Sequence, residues 1–138
     1  MGLDPTLSPS ERPAIGEISA TISRAIVRIH RDYLGRGPTK ARTSIRDNTV
    51  VVLMEDTLTK AERSLIADGK QDEVLATRHS FQMTMRDDMV AAVEEATGRS
   101  VIAFMSDNHV EPDLACEIFV LEPEAVPAAL AEAGDRSR

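Results

Sequence analysis

The chain has 138 residues, of which 42% are hydrophobic and 28% are charged, and these values are typical of one globular domain. The net charge of −7 argues against a protein that coats nucleic acid. Residues 50–54 form the longest apolar run, far short of the roughly 20 residues of a membrane helix. A lone cysteine, Cys116, excludes an internal disulfide and fits a cytoplasmic protein. No secretory signal is visible at the N-terminus.

Charge is unevenly distributed along the chain. Residues 24–46 contain seven basic residues and one acid, whereas residues 107–135 contain eight acids and no Lys or Arg. This asymmetry favours either attraction of an anionic partner to one end or head-to-tail pairing of two copies. Two solvated faces explain it equally well.

The first predicted element is a helix of about five turns, judged by about 3.6 residues per turn. Residues 1–13 are polar and proline-rich and predict a disordered arm before it. Gly35 and Gly37 stop the helix, and Pro38 prevents its resumption. Its apolar stripe comprises Ile15, Ile18, Ile22, Ile26, Ile29 and Tyr33.

A strand pair follows the first helix. Residues 41–46 alternate between apolar and polar side chains, which is typical of a half-exposed strand. Residues 47–48 predict a tight turn in which Asn48 tolerates positive φ. The continuous β-branched run 49–54 predicts a central strand buried on both faces.

Two helices come next. Thr59 with Glu62 three residues later is a capping box that opens a short helix ending near Gly69. A long helix is predicted from about Gln71 to Thr97, with Gly98 as its stop. Its predicted apolar stripe comprises Val74, Leu75, Phe81, Met85, Met89, Ala92, Val93 and Ala96.

Residues 100–106 and 114–121 predict two further strands, joined by a hairpin loop at 108–113. The element order α-β-β-α-α-β-β predicts an α+β domain over residues 14–123. In it a four-stranded antiparallel sheet packs with two long helices and one short helix. Residues 124–138 predict a short helix or a frayed acidic tail.

Apolar side chains occur on both faces of the second, third and fourth predicted strands. An antiparallel sheet with one face in water would show polar residues at alternate positions. Either the two long helices cover one face each, or both cover one face and another subunit covers the other. The isoleucine stripe of the first helix is also close to a heptad, which suits helix-to-helix pairing between copies, and we predict a homodimer.

Arg78 falls inside the apolar stripe of the long helix, where an arginine must pair with an acid or face a ligand or a subunit. With Gln82 and Arg86 it predicts a site for a small anion such as carboxylate, bicarbonate or phosphate. The alternative is an internal salt bridge at the edge of the core.

Asp107, His109, Glu111 and Asp113 alternate along the chain, and carboxylate–imidazole sets suit transition metals. Pro112 interrupts this spacing, and turn chemistry alone explains the composition, so Asp107 and His109 are only weak metal candidates. The sequence contains no nucleophile–base motif, no CxxC and no HExxH. We therefore expect neither enzymatic activity nor a cofactor.

From Gly35 to Pro123 the sequence resembles the MpsC-like family, named for a sodium-translocating system that generates a membrane potential. The matching stretches are GRGPTKAR (35–42), DNTVVVLMEDTLTKAE (47–62), FQMTMRDDMVAAVEEATGRSVIAFMSDNHVEPD (81–113) and EIFVLEP (117–123). The family's motif residues correspond to Gly35, Gly37, Pro38, Thr59, Glu62, Gly98, Arg99, Ser106, Asp107, His109, Pro112 and Asp113.

The resemblance implies a membrane transport partner concerned with cation flux or inorganic carbon, and a cytoplasmic accessory role that reaches the membrane through that partner. A binding surface for a protein or small anion is expected near Arg78, Arg86, Arg99 and residues 107–113. The alternative is nucleic-acid binding, because the element order resembles one KH arrangement, although its Gly-x-x-Gly clamp is missing. A small metalloenzyme built on the Asp107/His109 loop is a third hypothesis.

Overall fold

The computed structural model describes residues 14–123, which form three helices and one four-stranded antiparallel sheet. This confirms the predicted α+β fold and element order. The predicted arm at 1–13 and tail at 124–138 lie outside the described residues. In chain order the elements are α1 (Ile15–Leu34), β1 (Lys40–Arg46), β2 (Thr49–Glu55), α2 (Lys60–Ala67), α3 (Gln71–Thr97), β3 (Val101–His109) and β4 (Leu114–Leu121).

The strands lie in the order β1-β2-β4-β3, and each neighbouring pair is antiparallel. The turn between β1 and β2 is where the sequence predicted it, but Asp47 rather than Asn48 adopts positive φ, at 55°. Side chains of β2 alternate between buried and half-buried. The prediction that this strand is buried on both faces is therefore wrong within this chain.

Both long helices pack on the same face of the sheet, which we call the closed face. Isoleucines of α1 interlock there with the Met85, Met89 and Val93 side chains of α3. Ile15 and Tyr33, at the ends of the predicted α1 stripe, are exposed. The sheet contributes Val50, Val52, Met54, Ala115, Phe119 and Leu121 to this core.

The buried stripe of α3 differs from its prediction. Phe81 is 43% exposed, and Leu75 is half-buried. Arg78 and Gln82 take buried positions instead. The physical reason is that α3 extends past the core at this end, where it packs on polar groups of β3 and of the residues before α2.

Strand β3 runs three residues beyond its predicted end, to His109, which pairs with Leu114. The hairpin loop is accordingly only residues 110–113. Polar residues 106–109 were interpreted partly as loop, but they continue the ladder, because β4 supplies a partner to each of them.

Three glycines and a proline fix the helix ends as predicted. Gly35 and Gly98 close α1 and α3 in the left-handed region, at φ 79° and 69°. At Gly37 a Cβ would lie 3.0 Å from the carbonyl oxygen of Val27, so a side chain there would force α1 and the loop apart by a few tenths of an ångström. Pro38 is buried beside this crossing.

Candidate functional site

The most connected polar group in the described chain is Arg78, whose side chain is 4% exposed. Its Nη1 donates to Oε1 and Oε2 of Glu62 at 3.0 and 3.2 Å. Its Nη2 donates to Thr57 Oγ1 at 2.9 Å, and its Nε donates to Asn108 Oδ1 at 2.9 Å. Its Nη1 also donates to the Thr57 carbonyl oxygen at 3.4 Å. The guanidinium is thus held by one ion pair and three neutral acceptors, which is the internal pairing weighed as the alternative to an anion site.

The Glu62 side chain both caps the N-terminus of α2 and forms the ion pair with Arg78. Thr59 Oγ1 accepts from the Glu62 backbone N–H at 3.1 Å, and Glu62 Oε1 accepts from the Thr59 N–H at 2.8 Å. This is the predicted capping box. The local motif revealed the cap, but not that the same carboxylate pairs with a residue 16 positions later.

Gln82 and Asn108 form a reciprocal amide pair. Gln82 Nε2 donates to Asn108 Oδ1, and Asn108 Nδ2 donates to Gln82 Oε1, each at 3.0 Å. The pair ties α3 to β3 beside Arg78. Sequence reasoning missed Asn108, because it was assigned to the hairpin loop.

Asp113 closes the hairpin onto the start of α2. Its carboxylate accepts from the backbone N–H groups of Thr57 and Leu58 at 3.1 and 3.0 Å, and from Thr57 Oγ1 at 3.0 Å. Arg63 Nη2 donates to the same carboxylate at 2.9 Å. Thr57 therefore links Asp113 to Arg78, a connection that sequence spacing did not indicate.

The other predicted site residues lie apart from this network. Arg86 is exposed and contacts the neighbouring Asp87. Arg99 lies near the opposite end of α3, where it donates to the carbonyls of Asp47 and Glu122. The structure therefore brings Arg78, Gln82 and Asp113 together, but not Arg86 and Arg99.

Asp107 and His109 are exposed on β3, and His109 Nδ1 lies 2.8 Å from the carbonyl oxygen of Pro112. Asp113 is engaged with Thr57 and Leu58 instead of joining them. Within residues 14–123, no group of three or more His, Cys, Asp or Glu side chains is arranged to hold a metal ion.

A cavity of about 260 Å³ opens beside the Arg78 network, between α1 and α3. Leu34, Phe81 and Met85 form apolar walls, while Arg78 and His30 contribute polar atoms. Most N–H donors of Arg78 are already hydrogen-bonded to Glu62, Thr57 and Asn108. The cavity therefore offers a ligand more apolar contact than free positive charge.

A second buried polar cluster lies under α1. Glu117 is fully buried, and neither carboxylate oxygen has a hydrogen-bond partner among the described residues. Its Oε1 lies 3.6 Å from His30 Nε2. His30 Nδ1 lies 2.8 Å from the carbonyl oxygen of Ile26 and must carry a proton, since a carbonyl only accepts. Ser106, paired with Glu117 across the strands, also has a buried oxygen without a partner among the described residues.

The opposite side of the sheet is apolar, and we call it the open face. No helix or strand within residues 14–123 covers it. Met105 is 51% exposed there. Burial raises the pKa of the Cys116 thiol, and the negative charges of Glu117 and Asp107 raise it further. The apolar side chains of this face include Val51, Leu53, Met105, Leu114, Cys116, Ile118 and Val120.

Comparison with known proteins agrees with these motifs. Residues 14–123 match the family described as "Na+-translocating membrane potential-generating system (MpsC)". The chain belongs to the MpsC family. It is 28% identical over 95 residues to the "Uncharacterized protein YbcI" of Bacillus subtilis (strain 168), covering 67% of this chain and 75% of that protein. No solved structure matches the chain significantly.

The family description refers to a membrane system. Of the helices described in residues 14–123, none is both long and apolar enough to span a bilayer.

Proposed function

We propose that this MpsC-family protein is a non-enzymatic accessory protein of a membrane transport or membrane-energetics system, acting in the cytoplasm by binding another protein. The family description supports the choice of system. The observation that carries the protein-binding role is the open face.

The open face has the properties of a protein-binding surface. Its central strands β2 and β4 present Val51, Leu53, Ile118 and Val120, each half-buried. Contiguous apolar patches of this kind mark interaction sites on proteins, because covering them gains about 25 cal/mol per Å² of apolar surface. The apolar side chains of the open face are therefore available for association.

Binding of a small anion at Arg78 is less well supported. An anion would have to compete with Glu62, whose two oxygens lie 3.0 and 3.2 Å from Arg78 Nη1. It would also displace the contact with Thr57. Such exchange leaves the partly buried Glu62 carboxylate without its cation, which is costly. The proposal accordingly gives protein binding precedence.

Affinity capture from native lysate, with the membrane fraction included, tests this function. We expect a membrane transport or energetics subunit to co-purify with the wild-type chain and to be lost from Met105→Lys on the open face. Met83→Lys is the matched control, because Met83 is also an exposed methionine but lies on α3. Capture that is equal for both variants, or that is dominated by nucleic acid, contradicts the proposal.

A further inference from the structure

We propose that the open face binds a second copy of this chain, with a two-fold axis parallel to the strands that places β1 of each copy over β3 of the other. This inference rests on the proposed role of the open face in protein binding, and it adds a second copy of the chain as a partner that competes with the membrane protein for the same face. The distribution of charge across the open face favours this arrangement.

The strand register arranges the open face in rows that cross the sheet. One row consists of Arg42, Leu53, Cys116 and Asp107, in strand order β1, β2, β4 and β3. The next row toward the turn between β1 and β2 consists of Ser44, Val51, Ile118 and Met105. Each row is therefore apolar in the middle and polar or more exposed at its ends.

The two ends of the face carry opposite charge. On β1 the outward residues include Lys40, Arg42 and Arg46, with no acid among them. On β3 the corresponding edge presents Asp107. Arg42 and Asp107 are both exposed, and neither forms an ion pair with another described residue. Both charges are thus available to a partner.

A two-fold axis along the strands reverses left and right but keeps each row at its own height. Arg42 then faces Asp107 of the second copy, and the symmetry repeats the pair at the other edge. In the middle of the same row, Leu53 lies over Cys116 of the second copy. The rotation of roughly 30° between aligned sheets displaces edge residues by a few ångströms, which the long arginine side chain can follow.

The other face-to-face two-fold axis, perpendicular to the strands, gives the opposite electrostatic result. It places β1 antiparallel over β1, so that the basic residues Lys40, Arg42 and Arg46 of one copy face the basic strand of the other. Like charges facing each other across an interface are strongly unfavourable. Charge therefore selects the axis that is parallel to the strands.

The area of the face predicts a weak dimer. Four strands about 4.8 Å apart and of about seven residues each, at about 3.4 Å per residue, span roughly 19 by 24 Å. Such a face would bury roughly 900 Å² over the two copies, which is below the about 1,200–2,000 Å² of stable specific interfaces and typical of weak, transient ones. The dimer should consequently dissociate on dilution.

The test reverses the charges of Arg42 and Asp107, first singly and then together. Sedimentation equilibrium of the full chain over a wide concentration range would be compared for wild type, Arg42→Glu, Asp107→Arg and the double variant. We expect each single variant to raise the dimer dissociation constant by about tenfold or more, and the double variant to return most of that loss. Arg28→Glu, on the exposed side of α1, is the control with the same change of charge, and circular dichroism checks folding.

The outcomes separate this inference from the proposed function. Dimerisation with no rescue by the double variant overturns the strand-parallel axis. A chain that stays monomeric at every concentration overturns the second copy as partner, yet the proposed function survives if Met105→Lys still abolishes capture of the membrane protein. If the chain stays monomeric and Met105→Lys captures as much membrane protein as Met83→Lys, the dimer and the proposed function are both wrong.

Discussion

The closed and open faces of the sheet are made by neighbouring residues of the same strands, yet α1 and α3 cover only one of them. Phe119 on the closed face is fully buried, whereas the adjacent Ile118 is half-buried on the open face. On both faces the central strands β2 and β4 carry mainly apolar side chains. Apolar residues on both faces of a strand therefore indicate that both faces are suited to packing. The placement of the helices decides which of the two faces is covered within the chain and which is left for a partner.

Truncation on each face would test this difference most strongly. Phe119→Ala should lower the free energy of unfolding by about 3–5 kcal/mol, because it leaves a cavity in a packed core. Ile118→Ala should cost the isolated chain much less, since its side chain is only half-buried. Urea unfolding at a concentration where the chain is monomeric measures both, and equal losses would contradict the distinction.

The Arg78 network continues the packing of the closed face through an ion pair and hydrogen bonds instead of apolar contacts. Arg78→Met should lower the free energy of unfolding by about 2–3 kcal/mol, because Glu62 loses its buried cation while remaining 19% exposed. Adding Glu62→Gln should recover part of that loss, as expected for coupled partners. Thermal and urea unfolding of both single variants and the double variant provide the cycle, and strict additivity would exclude the coupling.

Glu117 is the residue on which the closed face departs from an apolar core. Glu117→Gln should raise the free energy of unfolding at neutral pH by about 1 kcal/mol, since the amide avoids burying a carboxylate that lacks hydrogen bonds. Glu55→Gln is the control, because Glu55 is half-buried on the open side beside Lys40, where the expected change is near zero. A loss of stability in Glu117→Gln would mean that the charge is required by His30.

The smallest expected effect is on the alkylation rate of the Cys116 thiol, which lies on the open face. Burial and the nearby Glu117 and Asp107 charges raise its pKa, so less thiolate is present at a given pH than for an exposed cysteine. Alkylation near pH 8 should therefore be slower in the folded chain than in urea. Asp107→Asn should accelerate it by about twofold at low concentration, because lowering the pKa increases the thiolate fraction. An unchanged rate would place the cause in access alone.

Local signals predicted most of the fold. The isoleucine spacing of α1, the Thr59–Glu62 cap and the glycine helix stops depend on residues within a few positions of one another, and the structure contains all of them. The order of strands and helices followed from these boundaries.

Non-local contacts explain what the sequence did not reveal. Arg78 was identified as out of place, but its partners Glu62, Thr57 and Asn108 lie 16 to 30 positions away. Spacing alone favoured Arg86 as its companion, although that side chain points to solvent. The polar end of β3 resembled a loop because an edge strand exposes most of its side chains.

The two edge strands of the sheet limit the number of copies of the chain that can assemble. Both outer strands are poor templates for further pairing, since β1 carries the basic residues Lys40, Arg42 and Arg46 and β3 contains a bulge between Val101 and Ala103. Lateral growth into a fibril is therefore discouraged at both ends of the sheet. A pair joined through its flat faces would use the remaining adhesive surface of each member, so assembly would end at two chains and crowding would not drive it to larger polymers.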